Sequence, residues 1–440
     1  MRLKRYKRKK FSDYLSWEIV LIIISLVSAF LVISYFAKRV DKILVPMAEI
    51  KTRKFITEII NNATLEVDFS GDLININKDE NDEIKLVNYN SFDNKYTKIN
   101  KDNLHKFLNN KLLLSYSSLD NYNKCAFRYY LSNILRLNIF EETFYTVLGN
   151  LFHYVLSNYF KDGFNMKELY KKYLDNCSYQ FDDREVFFLN YLEDELEFII
   201  NTIIKQNETN SLFNILAEEK IQVDKSFDNW NIIFKGFVDK IMFNDDNSIV
   251  SIVDYKTGNP KLNLNNVIYG LDLQLPVYIY LVKKKFPDAR IAGFYLQKIL
   301  NNEIVKDFKH SYLDLKGDKL KLQGYSNSSI NVLEQFDSSY SDSKVIKGMK
   351  MSSKGISSKK ILDDVMIDKL SSITEDKIDE AINGIVNAKF DINPKRVGMD
   401  NVGCSYCEFR DICFMKEKMV NNLKEYKNME FLGGDDDDTN

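Results

Sequence analysis

This 440-residue sequence has few cysteines, no large excess of charge of either sign, and no nucleotide-binding loop. Its five cysteines are an odd number, and no cleavable signal peptide precedes them, which argues against a secreted disulfide framework. A formal net charge of −2 argues against general coating of nucleic acid, so any DNA contact must come from a local basic patch. The phosphate loop G-x-x-x-x-G-K-S/T is absent, so the chain is not an ATP-driven motor.

The beginning of the chain differs in composition from the rest. Lys and Arg crowd residues 1–10, and the run from Ile19 to Ala37 carries no charge. At about 1.5 Å rise per residue, a helix of that length just spans a hydrocarbon core of roughly 30 Å. A signal peptide would have an apolar region of only about 7–15 residues and a small-residue cleavage site after it. The sequence therefore predicts one membrane helix over residues 19–37, with a cytoplasmic N-terminus because the heavier basic flank precedes it.

Residues 43–66, ILVPMAEIKTRKFITEIINNATLE, have the pattern of an amphipathic helix that continues from the membrane segment. With the basic start and the single span, this stretch resembles the YunB family of sporulation membrane proteins over about residues 1–65. Residues 67–110 are rich in Asn, Asp and Lys and are predicted to be a linker. Residues 421–440 are predicted to be a tail whose acidic end is disordered.

Between the linker and the tail, residues 111–420 are predicted to form one large α/β domain. Apolar residues recur at helical spacing, then alternate with polar residues in consecutive segments, and then return to helical spacing. The predicted elements are helical stretches over about 118–160 and 166–206, strands over 216–227, 231–243 and 248–257, a helix over 267–285, a strand over 289–298, a polar insertion over 300–360 and a helix over 375–388. This order indicates a sheet flanked by helices.

Two acidic residues are predicted to meet across the second hairpin. The turn sequence Asn-Asp-Asp-Asn at 244–247 joins the two strands, and a turn centred after Asp246 pairs residues whose numbers sum to 493. Asp239 then lies opposite Asp254, in otherwise apolar strands. Directly opposed like charges destabilise a sheet, and burying two unpaired carboxylates costs several kcal/mol each. A divalent cation between them would resolve the repulsion, and hard oxygen ligands at this separation suit Mg²⁺ or Mn²⁺.

Lys256 follows Asp254 by two residues, so its side chain points to the same face of the strand. This places an ammonium group where an attacking water and a phosphate oxygen would lie beside the metal. Metal-activated water and a cation beside the crowded anionic phosphorus are the minimum requirement for phosphodiester hydrolysis. Two surface strands with solvated charges would carry the same residues, so the D-x-K tripeptide alone leaves both interpretations open.

Further motifs resemble the PD-(D/E)XK superfamily, and within it the RecB-like and AddB-like nucleases. An aspartate followed by D-x-K on the next strand is that superfamily's signature, here Asp239 and then Asp254-Tyr255-Lys256. Gly149-Asn150-Leu151-Phe152-His153 resembles the G-x-x-x-H element, which implies that His153 binds metal together with the two aspartates. Gln274-Leu275-Pro276-Val277-Tyr278 resembles the Q-x-x-x-Y motif that lines the site near DNA. Glu219 matches the acidic position on the preceding strand. The resemblance implies a restriction-endonuclease-like mixed sheet flanked by helices.

Four of the five cysteines form a split set. Cys404, Cys407 and Cys413 have C-x2-C-x5-C spacing, and Cys125 lies at the start of the same domain. By spacing alone, four thiolates fit either Zn²⁺ or a 4Fe–4S cluster. The AddB-like and Cas4-like nucleases have this arrangement, and the resemblance implies a structural 4Fe–4S cluster that ties the two ends of the domain together. Cys177 is outside the pattern and is expected to be a small buried hydrophobe.

Taken together, the AddB-like resemblance over about residues 115–415 implies a Mg²⁺-dependent DNA exonuclease that acts in double-strand-break processing beside an AddA-like helicase subunit. A Cas4-like exonuclease is one alternative, and the length of the chain and the polar insertion at 300–360 disfavour it. A membrane-anchored sporulation protein with a non-catalytic, DNA-binding nuclease-like domain is another.

The predicted membrane orientation conflicts with this function. A cytoplasmic N-terminus would place the nuclease domain outside, away from DNA and from iron–sulfur assembly. The domain is nevertheless expected in the cytoplasm, which requires either that the helix inserts the other way or that the membrane segment is a fusion.

Overall fold

The computed structural model describes residues 99–138, 142–259, 262–300, 311–353, 355–358, 360–427 and 429–433, together with the backbone of two short strands before them. The predicted membrane helix at 19–37, the amphipathic helix at 43–66 and the end of the acidic tail lie outside the described residues. Within the described part of the chain, no helix is long and apolar enough to cross a membrane.

The chain divides into two compact units, Met1–Asp93 and Asn94–Asn440. In the first unit, strands β1 (Ile76–Lys78) and β2 (Ile84–Val87) pair antiparallel. The second unit contains every candidate site residue. It begins at Asn94, within the stretch 67–110 that is predicted to be a linker.

The second unit contains both helices and strands. Its α-helices are α1 (Lys101–Leu108), α2 (Tyr116–Lys124), α3 (Ala126–Tyr129), α4 (Phe144–Leu156), α5 (Met166–Asp175), α6 (Asp183–Asn207), α7 (Gln274–Lys285), α8 (Tyr312–Lys319), α9 (Ile330–Phe336), α10 (Asp364–Val386) and α11 (Arg410–Cys413). Its strands are β3 (Lys111–Leu114), β4 (Asn214–Phe227), β5 (Trp230–Phe243), β6 (Ile249–Lys256), β7 (Arg290–Lys298), β8 (Gln323–Asn327), β9 (Met351–Ser352), β10 (Gly355–Ile356), β11 (Ile361–Leu362), β12 (Lys395–Val397) and β13 (Asn421–Leu423).

A seven-stranded mixed sheet forms the centre of this unit, in the order β11-β8-β7-β6-β5-β3, with β4 also paired to β5. β4 pairs antiparallel with β5 along its whole length, so it occupies one edge of β5. The opposite edge of β5 is shared: β3 pairs parallel with Asn231–Phe234, and β6 pairs antiparallel with Lys240–Phe243. On this edge, residues 235–239 of β5 have no strand partner, because they lie between the end of β3 and the start of the β6 pairing. Asp239 is the last residue of this gap.

The predicted strand register is confirmed. Lys240 pairs with Val253 and Phe243 with Val250, so opposed residues on β5 and β6 sum to 493. Asn244 and the turn after it close the hairpin, and Asn247 adopts a left-handed backbone at φ 57°. The short polar turn sets the register, and the register brings the two aspartates to the end of the ladder.

Two apolar clusters cover the two faces of the sheet. On β6, Val250 and Ile252 pack into the first cluster, with α7 and α10. Val253 and Tyr255 pack into the second cluster, with α4, α6 and α9. Because successive residues of a strand point to opposite faces, a strand buried on both sides reads as a continuous apolar run. A mixed α/β fold with helices on both faces of a central sheet is therefore confirmed.

Three predicted elements differ from the structure. The helix predicted over 267–285 is interrupted: a 3₁₀ segment ends at Gly270, whose backbone is left-handed (φ 74°), and α7 begins at Gln274. The stretch 300–360, predicted to be a polar insertion, contributes the sheet strand β8 and the helix α9. Helix α10 begins at Asp364, capped by Asp363, eleven residues before the predicted start at 375.

Candidate active site

The ladder between β5 and β6 ends one residue before the two aspartates. The last pair is Lys240 with Val253. Beyond it, the Asp239 side chain replaces the missing ladder bond, because its Oδ2 accepts a hydrogen bond of 2.7 Å from the backbone N–H of Tyr255. Strand β6 continues beside β7 as far as Lys256. The two strands thus diverge at the acidic residues, and a polar site opens between them.

Asp254 and Lys256 form an ion pair, with 2.6 Å between Lys256 Nζ and Asp254 Oδ2. The other oxygen of Asp254 accepts a hydrogen bond of 2.8 Å from Gln274 Nε2, at the first residue of α7. That amide nitrogen also lies 3.1 Å from the hydroxyl of Tyr278, one turn further along the helix. The structure therefore brings the D-x-K and Q-x-x-x-Y residues into one hydrogen-bonded group. Asp254 is buried, and the Lys256 side chain remains 30% exposed, so its ammonium can reach a substrate.

A second group lies on the other side of Asp239. His153 is on α4, whose first turn is capped by Thr143 and whose apolar side packs into the second cluster. Its Nδ1 lies 3.3 Å from Glu218 Oε1 and 3.5 Å from Asp239 Oδ2. One ligand atom from each of these three residues lies within 4.8 Å of the others.

Glu218 replaces the acidic residue expected from the sequence. The sequence predicts Glu219 for that position, but its side chain pairs with Lys285 of α7. The prediction is wrong because adjacent residues of a strand point to opposite faces. A turn at Asp228-Asn229 makes residues summing to 457 lie opposite each other on β4 and β5, which would have identified Glu218 as the neighbour of Asp239.

The backbone is irregular where these acidic residues meet. Glu218 has a left-handed backbone, φ 49°, within β4. On β5, Val238 packs into the first cluster and Met242 into the second, although residues four apart in a regular strand share one face. The alternation of β5 thus reverses around Asp239. Asp239 lies on the face opposite Val238, beside α4 and His153, and the reversal falls between Asp239 and Ile241.

Burial and neighbouring charges shift the pKa values of the site residues. Burial, and then the charge of Asp254, raises the pKa of Asp239 to about 7. Burial also raises the pKa of Asp254, against the opposing effect of the Lys256 ammonium. Burial lowers the pKa of His153, but its hydrogen bond to Glu218 and the charge of Asp239 outweigh burial and raise it. The pocket therefore contains more negative charge than its protein partners balance at neutral pH.

These residues fit a divalent cation. Metal–oxygen distances of about 2.0–2.2 Å place ligands on opposite sides of one ion roughly 4.2 Å apart, close to the spacing of the His153, Glu218 and Asp239 atoms. The ligand set predicted from the sequence is His153, Asp239 and Asp254. The first two are brought together with Glu218, while the oxygens of Asp254 contact Lys256 and Gln274 beside the cluster.

Two segments that carry cysteines, one from each end of the domain, are in contact. The backbone N–H of Phe127 donates to the carbonyl of Asp391, and that of Ala126 donates to the Asn393 side chain. Gly403 packs so closely that an added Cβ would lie 2.7 Å from the carbonyl oxygen of Lys124. The residues that directly precede Cys404 and Cys125 are therefore in contact.

The thiols of this set are close enough to affect one another. Burial, together with the proximity of Cys407, raises the pKa values of Cys125, Cys404 and Cys413. Cys177 lies elsewhere, after α5, and it is half-buried and not fully buried as predicted.

The sequence profile of the PD-(D/E)XK nuclease superfamily matches residues 113–414. The chain belongs to this superfamily. The match contains the three-strand meander of β4, β5 and β6, helix α7 and the cysteine set. Asp254-Tyr255-Lys256 lies within the matched residues.

Curated relatives resemble the same region at modest identity. The chain is 23% identical over 427 residues to an ATP-dependent helicase/deoxyribonuclease subunit of Staphylococcus haemolyticus, covering 78% of this chain and 35% of that protein. It is 24% identical over 354 residues to the protein of the same name from Lactococcus lactis subsp. cremoris, covering 71% and 29%. For exonuclease/helicase subunit RexB of that subspecies, the identity is 25% over 347 residues, covering 71% and 29%. The chain thus spans about a third of the length of these relatives.

Among solved structures, that of SSO0001 aligns with a TM-score of 0.25 and 12% identity, covering 71% of this chain and 92% of that chain.

Proposed function

We propose that this protein is a metal-dependent deoxyribonuclease that removes nucleotides from DNA ends by hydrolysing phosphodiester bonds. The observation that carries the proposal is the meeting of two groups at the divergence of β5 and β6. One is the Asp254–Lys256 ion pair, and the other is the cluster of His153, Glu218 and Asp239. The superfamily match and the relatives named as deoxyribonuclease subunits support it.

Some side chains of the site orient the catalytic groups, and others supply charge. Asp254 and Gln274 hold each other through a hydrogen bond of 2.8 Å, and Asp254 keeps the Lys256 ammonium at 2.6 Å. Lys256 is thereby positioned to orient a water molecule and to stabilise the negative charge that develops on the phosphate oxygens. His153, Glu218 and Asp239 would hold Mg²⁺ or Mn²⁺, which supplies an activated water and a Lewis acid for the phosphate.

The experiment is digestion of linear DNA by the full-length protein with and without Mg²⁺. Asp254→Ala and Lys256→Ala are expected to lower cleavage by at least about a thousandfold, because each removes a group that acts in the transition state. Lys285→Ala is the matched control, since Lys285 forms a carboxylate pair with Glu219 away from the site. Full activity in either site variant, with a folded control, would reject the assignment.

We further propose that the protein works with an AddA-like helicase–nuclease subunit in double-strand-break repair and recombination. Relatives at this similarity are named as subunits of an ATP-dependent helicase/deoxyribonuclease, and this sequence has no phosphate loop of its own. A partner would then supply unwinding. Co-purification with the helicase subunit encoded in the same genome, and ATP-stimulated digestion by the pair, would support this; equal digestion with and without the partner would contradict it.

We propose that Cys125, Cys404, Cys407 and Cys413 hold a 4Fe–4S cluster that links the start of α3 to the C-terminal loop. Support comes from the backbone hydrogen bonds that join these segments and from the split spacing of the thiols. Closing a loop of nearly the whole domain restricts the unfolded chain. Metal analysis of anaerobically purified protein distinguishes iron from zinc.

A membrane anchor at residues 19–37, with the nuclease domain in the cytoplasm, is also proposed. The charge-free run is its support. Fractionation of cells and protease accessibility of the nuclease domain from either side of the membrane test both parts.

A further inference from the structure

One stripe of helix α4 leads away from the candidate active site. Tyr145, Gly149 and His153 are spaced by four residues, so they lie on one face of the helix. The opposite face is buried among apolar side chains of the second cluster. His153 ends this stripe inside the acidic cluster, and Tyr145 begins it in solvent with its side chain 81% exposed.

Gly149, in the middle of this stripe, is not explained by packing. An alanine Cβ there would meet no atom closer than the Thr257 hydroxyl oxygen at 3.9 Å, which is an ordinary contact. Glycine in the interior of a helix is destabilising relative to alanine. The fold therefore accepts a larger residue at a position where the sequence has the smallest one. Thr257 directly follows Lys256, so the bare backbone of Gly149 lies beside the catalytic end of β6.

Tyr145 is at a useful distance from the reaction. Eight residues of α-helix separate it from His153, which is about 12 Å along the axis. Stacked nucleotides rise about 3.4 Å each, so three to four nucleotides cover that distance, and fewer if the strand is stretched. Unpaired bases stack on exposed aromatic rings regardless of sequence. The ring of Tyr145 contacts that of Phe144 at 6.1 Å between centroids, and most of its surface remains exposed to solvent.

We propose that this stripe is the track on which a single DNA strand approaches the active site, with a base stacked on Tyr145 and the sugar–phosphate backbone passing over Gly149. The inference rests on the proposed function for its substrate class. The inference specifies where the DNA strand lies and names Tyr145 and Gly149 as residues that position it.

Binding without cleavage tests the track independently of the chemistry. A fluorescent single-stranded oligonucleotide is titrated with the full-length protein in EDTA. Tyr145→Ala should weaken binding roughly five- to a hundredfold, whereas Tyr145→Phe should bind like the wild type, because stacking needs the ring and not the hydroxyl. Phe107→Ala is the matched control: Phe107 is a 60% exposed aromatic on α1. His105 of the same helix contacts Trp230, at the far end of β5 from Asp239 and about 30 Å away along the strand. Phe107 is therefore remote from the candidate active site.

Gly149→Ala separates a substrate role from a structural one. Its thermal midpoint should be equal to or higher than that of the wild type, while oligonucleotide binding weakens about fivefold or more. A lower midpoint, or unchanged binding in both Gly149→Ala and Tyr145→Ala, would overturn the track.

Cleavage assays then separate the two claims. A dinucleotide is too short to reach Tyr145, so Tyr145→Ala should cleave it at the wild-type rate and lose efficiency only on longer strands. Wild-type protein that binds the oligonucleotide through Tyr145 but cleaves nothing in Mg²⁺ or Mn²⁺ would refute the proposed function and leave the track in place.

Discussion

Replacing Asp239 with asparagine is expected to make the metal-free protein more stable at pH 8 while abolishing its response to Mg²⁺. The Asp239 side chain is buried, and its pKa is raised to about 7 by burial and by the charge of Asp254. Asparagine has the same shape, and its side-chain oxygen can still accept the hydrogen bond from the backbone N–H of Tyr255. The substitution therefore removes an unfavourable charge without opening a cavity.

The direction of the pH dependence follows from proton linkage. In the unfolded chain, the Asp239 carboxyl has a pKa near 3.9. Between pH of about 4 and about 7 the folded state therefore binds more protons at this residue than the unfolded state, so the free energy of unfolding falls as pH rises. Above pH 7 this contribution levels off. Three pH units at about 1.4 kcal/mol each set an upper bound of about 4 kcal/mol. Because Asp239 also attracts His153, we expect a gain of about 1–3 kcal/mol for Asp239→Asn at pH 8.

The measurement is thermal or urea unfolding of both proteins in EDTA from pH 5 to pH 8, repeated with Mg²⁺. Mg²⁺ at a hundred times its dissociation constant should stabilise the wild type by about 2.7 kcal/mol, and should not stabilise the variant. An Asp239→Asn protein that is less stable than the wild type at pH 8 in EDTA, or that gains as much from Mg²⁺, would refute the electrostatic account of the site.

Three further outcomes are expected. Glu218→Gln should weaken Mg²⁺-dependent cleavage at least about tenfold by removing a carboxylate ligand, whereas Glu219→Gln should leave it within about twofold, as compared by Mg²⁺ titration of the cleavage rate. Anaerobically purified Cys407→Ser should contain less iron and have a lower thermal midpoint than the wild type, whereas Cys177→Ser should keep the wild-type iron content and midpoint. Equal iron content in the two variants would contradict the proposed 4Fe–4S cluster. Gly324→Ala should lower the free energy of unfolding by about 2 kcal/mol or more in urea titrations, because its Cβ would lie 2.1 Å from a backbone oxygen of β7.

Features set by short-range sequence could be predicted. The turn at 244–247 determines which residues of its two strands oppose each other, because hairpin register follows from turn position. The D-x-K spacing places Asp254 and Lys256 on one face by the alternation of a strand, and they form the ion pair. The helix that carries Gln274 and Tyr278 could also be predicted from the sequence. Its start at Gln274 could not, because the left-handed backbone of Gly270 interrupts the predicted helix.

Features set by long-range packing were decided only by the tertiary structure. Strand β3 pairs with β5 across more than a hundred residues, and this pairing confines Asp239 to a gap between two neighbours. Glu218 has a left-handed backbone within β4, and its carboxylate lies with that of Asp239 at His153. The family resemblance pointed to Glu219, although the register of β4 and β5 places Glu218 opposite Asp239. The packing of α4 against the sheet brings His153 to these two carboxylates, and no local pattern encodes that contact.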